Sequence, residues 1–94
     1  MPQLLVRNRV EDYDRWLGYF ESEKPAARDY GMEVVGLWRA TDDPNDIYFL
    51  FELESIERAN AFMARPESAK VGELSGVIDG EIRFLESAPV GERP

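Results

Sequence analysis

Hydrophobic and polar residues alternate from Leu4 to Val10, with Leu4, Val6 and Val10 of one parity and Leu5, Arg7 and Arg9 of the other. That is the pattern of a half-buried strand. The next segment changes period: Tyr13, Trp16, Leu17 and Phe20 fall at i, i+3, i+4 and i+7, behind acidic Glu11 and Asp12. This predicts an amphipathic helix with negative charge at its N-terminus, where the helix dipole favours it. Pro25 is expected to interrupt or kink this helix near Lys24, and Gly31 to stop it after Ala26 to Tyr30 have added another turn or two. A second strand is predicted from about Met32 to Ala40, and a third from Ile47 to Glu54, where Ile47, Phe49, Phe51 and Leu53 alternate with Tyr48, Leu50, Glu52 and Glu54. Thr41-Asp42-Asp43-Pro44-Asn45 between them is turn chemistry, so the two strands read as a hairpin.

Ser55 reads as the N-cap of a second helix, with Glu57 in its first turn and Ile56, Ala59, Phe62 and Met63 as its apolar stripe. Pro66 breaks that helix after Arg65, and a shorter helical piece follows through Leu74. Gly76 and Gly80 are expected to frame a turn into a last strand at Glu81 to Glu86. The order β-α-β-β-α-β predicts an α+β, ferredoxin-like fold, with both helices on one face of a four-stranded antiparallel sheet. Residues 1–87 are expected to form this domain and 88–94 a flexible C-terminal tail.

The helices can cover only the face carrying Leu4, Val6, Phe49, Phe51, Ile82 and Phe84. The other face still holds Leu5, Tyr48, Leu50 and Leu85. An apolar patch of that kind is unusual on a monomer, so a homodimer is expected, with Leu5, Leu50 and Leu85 in the interface between two such sheets.

Composition narrows the chemistry. The 19 acidic residues against 11 basic leave a net charge of −8, which opposes nucleic-acid backbones and anionic lipid surfaces as partners. No apolar run approaches a membrane span and the first residues lack a signal-peptide pattern, so a cytoplasmic location is expected. The chain has no cysteine and no histidine. Thiol nucleophiles, Ser-His relays, imidazole bases, His-ligated haem and the usual zinc sites are therefore not expected, and neither a cofactor nor a metal is predicted. Asp42, Asp43 and Asp46 lack the spacing of a dedicated calcium loop, and Gly72, Gly76 and Gly80 lack the setting of a phosphate loop.

Leu4-Leu5-Val6-Arg7 leading into Val10-Glu11-Asp12-Tyr13 and Trp16, the turn Asp42-Asp43-Pro44-Asn45, and Phe51-Glu52 ahead of a helix with Ala59 and Phe62 together resemble the dimeric α/β-barrel superfamily. This group includes antibiotic-biosynthesis monooxygenases and small cyclase-like proteins, and the resemblance runs from Leu4 to Glu86. It implies a barrel closed by two sheets, and relatives that range from cofactor-independent oxygenases of phenolic polycyclic substrates and haem-degrading enzymes to proteins with no known reaction. Relatives often carry a histidine in the first strand where this chain has Asn8, so chemistry built on that imidazole is not implied here.

The candidate site residues are Arg7, Asn8, Trp38, Tyr48, Glu52 and Arg83. Arg7, Arg9, Tyr48, Glu52 and Arg83 share the barrel-facing parity. They read either as a polar ligand cleft, with arginine binding an oxyanion and Glu52 or Tyr48 moving a proton, or as an ion-pair network that fixes the dimer. Trp38, Asn8 and an arginine form the set suited to cofactor-free oxygen chemistry, although Asn8 has the parity of the helix-facing residues and Trp38 reads equally as core or interface. The expected function is thus a small homodimeric barrel protein binding a small aromatic or apolar molecule in the cleft. The alternatives are a cofactor-independent monooxygenase or cyclase on a phenolic or polyketide-like substrate, and a non-catalytic dimerisation module.

Overall fold

The computed structural model describes residues 1–89. Four strands and three helices follow in the order β1 (Pro2–Val10), α1 (Tyr13–Asp29), β2 (Met32–Ala40), β3 (Asp43–Leu53), α2 (Ile56–Met63), α3 (Pro66–Leu74) and β4 (Val77–Glu86). The strands form one antiparallel sheet in the order β2-β3-β1-β4. This is the predicted α+β ferredoxin-like arrangement, its second helix divided at Pro66. No helix among the described residues is long and apolar enough to cross a membrane.

The local signals act as read. The Asp12 carboxylate accepts from the backbone N–H of Asp14 and Arg15 at the start of α1, and Ser55 Oγ accepts from Arg58 N at the start of α2. Pro66 occupies the first turn of α3, where its missing N–H costs nothing. Gly31 and Gly76, at φ 71° and 81°, make the turns that end α1 and α3.

Three boundaries differ from the sequence reading, each for a physical reason. Pro25 does not break α1, which runs on to Asp29. Pro25 and Glu21, whose carbonyl loses its partner, both lie on the exposed side where water can serve that carbonyl, while Trp16 and Ala27 anchor the helix on the core. The β2–β3 turn is only Thr41-Asp42, because Ala40 already pairs with Asp43 and the next three residues form a bulge before Ile47 meets Arg39. Asn45 in that bulge accepts from Tyr13 N at 3.1 Å and donates to the Glu11 carbonyl at 3.4 Å, fastening the hairpin to the start of α1. Finally, Gly80 lies within β4 rather than in a turn. It pairs with Asn8, and a Cβ on it would stand 2.6 Å from Asn8 Oδ1 and 2.8 Å from the Arg7 carbonyl.

Leu4, Ile47 and Leu53 are fully buried under the helices with Val6, Phe49 and Phe51. Trp16 stacks on Phe20 at 4.7 Å between centroids, and both contact Phe49. Phe84 packs against this core as expected, but Ile82 stays half exposed. It has the helix-side parity, yet β4 is an edge strand that the helix layer leaves partly uncovered. The expected C-terminal tail lies outside the described residues from position 90 onward.

Candidate functional site

A cavity of about 330 Å³ lies between the helix layer and the sheet. The sheet supplies Val6, Asn8 and Phe49, α1 supplies Trp16, Tyr19 and Phe20, and α3 supplies a wall of short side chains that includes Ala69 and Gly72. Helix α3 buries none of its own residues. It is held at its ends instead: Arg65 Nη2 reaches Glu23 of α1 at 2.8 Å and Ser68 Oγ at 3.2 Å, and Arg15 of α1 donates twice to the Leu74 carbonyl, at 2.9 and 2.6 Å. A helix strapped over the sheet at its two ends leaves room beneath its middle.

The cavity is mostly apolar, so its few polar groups stand out. The Asn8 carboxamide makes no hydrogen bond among the described residues although it lines the cavity, and Gly80 leaves the space it occupies. Ser75 Oγ is satisfied by the Gly72 carbonyl at 3.2 Å, and Ser68 Oγ by the Phe62 carbonyl at 2.6 Å. Lys24 pairs with Glu21 at 3.1 Å and lies over the Phe20 ring at 5.5 Å. Glu23 is taken by Arg65, so the Asn8 carboxamide and the Tyr19 hydroxyl, which makes no hydrogen bond among the described residues, are left as groups able to donate to, or accept from, a molecule in the cavity.

The other candidates lie across the sheet. A second pocket of about 250 Å³ is lined by Leu5, Arg7, Tyr48, Glu81, Ile82 and Arg83. Register places Arg7 beside Tyr48, with its guanidinium 6.0 Å from the ring centroid. Arg7 is already engaged: it donates to both Asp46 oxygens at 2.8 and 3.2 Å and to Glu81 at 3.4 Å. The Asp46 hydrogen bond holds its guanidinium more firmly in the charged form than usual. Arg9 is held likewise by Asp79, which lies 2.7 Å away and whose carboxyl is in turn kept below the usual range by the Arg9 hydrogen bond. Glu52 accepts from Gln3 Nε2 at 3.2 Å and lines neither pocket. Arg83 makes no hydrogen bond or ion pair among the described residues.

Asn8 and Trp38 are parted by the sheet. A bulge between Val34 and Gly36 shifts the parity of β2, so that Leu37 faces Phe49 on the helix side while Trp38 faces Tyr48 on the open side. The Trp38 ring packs over Gly36, where a Cβ would collide with it. It is 52% exposed. The open face also carries the half-buried Leu5, Leu50 and Leu85. Tyr19 and Gly72 were not legible as site residues: Tyr19 lies off the apolar stripe of α1, and a helical glycine carries no pattern of its own. Trp16 and Phe20 read as core, which they also are.

No protein-family model matches the chain, and no curated protein matches it. Solved structures do. One described as an antibiotic biosynthesis monooxygenase aligns over 95% of this chain and 100% of its own, with a TM-score of 0.72 and 14% identity. A conserved protein from Methanosarcina mazei aligns over 93% and 92%, at 0.73 and 13% identity. A protein from Agrobacterium tumefaciens aligns over 94% of each chain, at 0.69 and 19% identity. At these identities the likeness is one of fold, and in fold the chain is similar to the antibiotic-biosynthesis-monooxygenase group that its sequence resembles.

Proposed function

We propose that this chain is one protomer of a homodimer that binds a small aromatic or other apolar molecule in the cavity between its helices and its sheet. The cavity itself carries the reading: its volume and apolar lining, with uncommitted polar groups in Asn8 and Tyr19, are those of a small-molecule site. The open-face pocket supports ligand binding less well, because Asp46 and Glu81 already engage its Arg7. Dimerisation is supported by the apolar residues left on the open face, Leu5, Leu50 and Leu85 with Trp38 beside them. Native mass spectrometry of the purified protein tests both parts. A dimer carrying a small-molecule adduct that is released on denaturation is expected. A bare monomer that also takes up none of a panel of aromatic compounds would remove the proposal.

Asn8 favours a second reading, a cofactor-independent monooxygenase or cyclase on a phenolic or polyketide-like substrate; one structural neighbour is described as an antibiotic biosynthesis monooxygenase. An ionised phenol can itself deliver electrons to oxygen while the protein orients it, and an amide donor beside the developing oxyanion is worth on the order of 10²–10³ in rate. Oxygen uptake with hydroxylated aromatics, by the wild type and by Asn8→Ala, decides this. Turnover that falls in the variant supports the enzyme, and no turnover leaves the binding protein. A third reading, a purely structural dimerisation module, is favoured only by a dimer whose cavity takes up nothing.

A further inference from the structure

Helix α3 contains a glycine that neither its backbone nor its neighbours require. Gly72 lies within the nine-residue span Pro66–Leu74, and among the described glycines only Gly31 and Gly76 have positive φ. Apart from proline, glycine is the poorest choice for a helix interior. Crowding does not explain it either. Gly36 and Gly80 each sit where a Cβ would collide, with Trp38 and with Asn8, whereas a Cβ at Gly72 meets nothing within 4 Å. Gly18 also has open space around it, but it is exposed on α1 and lines no cavity. Gly72 does line one, so a side chain there would project into the cavity rather than into protein. What its missing side chain contributes is room, in the wall facing a cavity whose α1 side is the Trp16–Phe20 stack.

We propose that Gly72 is the residue that sets the size of molecule the cavity admits. A fused or linked aromatic ring system can lie against the bare backbone of α3 at this position, and any larger residue would restrict the cavity to single-ring molecules. This rests on the reading of the cavity as a binding site.

The test uses the neutral fluorophore N-phenyl-1-naphthylamine as the large probe and phenol, followed by calorimetry, as the small one. They are titrated into the wild type, Gly72→Ala, Gly72→Leu and the control Gly18→Leu. The wild type and Gly18→Leu are expected to bind both. Gly72→Leu is expected to lose roughly tenfold or more in affinity for the naphthylamine, the scale on which added methylenes discriminate in an apolar pocket, and to keep its affinity for phenol. Its melting temperature should equal or exceed that of the wild type, and Gly72→Ala should show the same selectivity more weakly if the leucine variant folds poorly. Unchanged naphthylamine binding in both Gly72 variants, or an equal loss of both probes, overturns the proposal while leaving the binding site in place. If the wild type binds neither probe, the binding site itself falls and the proposal with it.

Discussion

On the helix side of the sheet Leu4, Ile47 and Leu53 are fully buried, while on the other side Leu5, Leu50 and Leu85, from β1, β3 and β4, stay half exposed. The polar groups divide the other way. The open face carries Arg7 and Arg9, each tied by hydrogen bonds to carboxylates of neighbouring strands, whereas the helix side carries Asn8 with its carboxamide unengaged. A face whose charges are mostly paired, with Arg83 the exception among the described arginines of β1 and β4, is suited to meeting a second surface, because it brings few unsatisfied groups into contact. A face with an open apolar space and one available amide is suited to meeting a small molecule. Two adjacent positions of β1, Arg7 and Asn8, thus point toward different tasks.

The comparison breaks most severely at Phe49, which packs against Trp16, Phe20 and Phe51. Phe49→Ala is expected to cost about 3–5 kcal/mol, the range for removing a buried aromatic side chain. Denaturant unfolding followed by far-ultraviolet circular dichroism measures it, and a loss under about 1 kcal/mol would mean that the helix side is not the stabilising face. Leu50→Asp addresses the opposite face. A charge at the centre of an interface is expected to weaken dimerisation on the order of a hundredfold or more, with helix content retained, as seen by light scattering across a concentration series. If the variant keeps the wild-type oligomeric state, the open face is not the interface.

Gly80→Ala sharpens the contrast between the adjacent Arg7 and Asn8. Its methyl group would press on Asn8 Oδ1 and the Arg7 carbonyl, so a destabilisation of about 1–3 kcal/mol is expected, together with displacement of the Asn8 carboxamide. A chemical-shift change at the Asn8 side-chain amide, read by NMR, is the specific sign; stability and shifts that match the wild type would show the position to be slack.

The fold was legible because the two periodicities are clean: alternation in β1 and β3, and the i, i+3, i+4, i+7 stripe of α1, each place a whole face at once. Element ends were less so. Asp43-Pro44-Asn45 has turn composition but is spent on a bulge that Asn45 fastens to α1, a contact between residues 32 positions apart that no local signal reveals. Arg7, Tyr48 and Arg83 line one pocket because those strands pair without slippage there, whereas Glu52, of the same parity, lines none. Trp38 could not be placed by parity because the bulge at Val34 and Gly36 reverses it. The cavity was invisible for a different reason. It is made by what α3 lacks, and an absent side chain leaves no hydrophobic pattern to read.

The smallest effect expected is electrostatic. The Arg9 hydrogen bond lowers the folded-state pKa of Asp79, so the pair adds stability above the ordinary aspartate range and loses it as pH falls through the lowered value. Asp79→Asn should therefore melt slightly below the wild type at neutral pH and converge with it in acid, since both groups are exposed. A gap that persisted or widened toward low pH would show that the pair does not carry the difference.

The distribution of the two tryptophans has an optical consequence. Trp16, 3% exposed, stands in the cavity wall, and Trp38, 52% exposed, lies on the open face. Their emission should differ in wavelength and in access to aqueous quenchers, the first blue and shielded, the second red and open. A molecule entering the cavity would perturb only the shielded component, and a second copy covering the open face would perturb only the quenchable one. The protein thus holds two separate intrinsic reporters, and Trp16→Phe or Trp38→Phe would silence either channel alone.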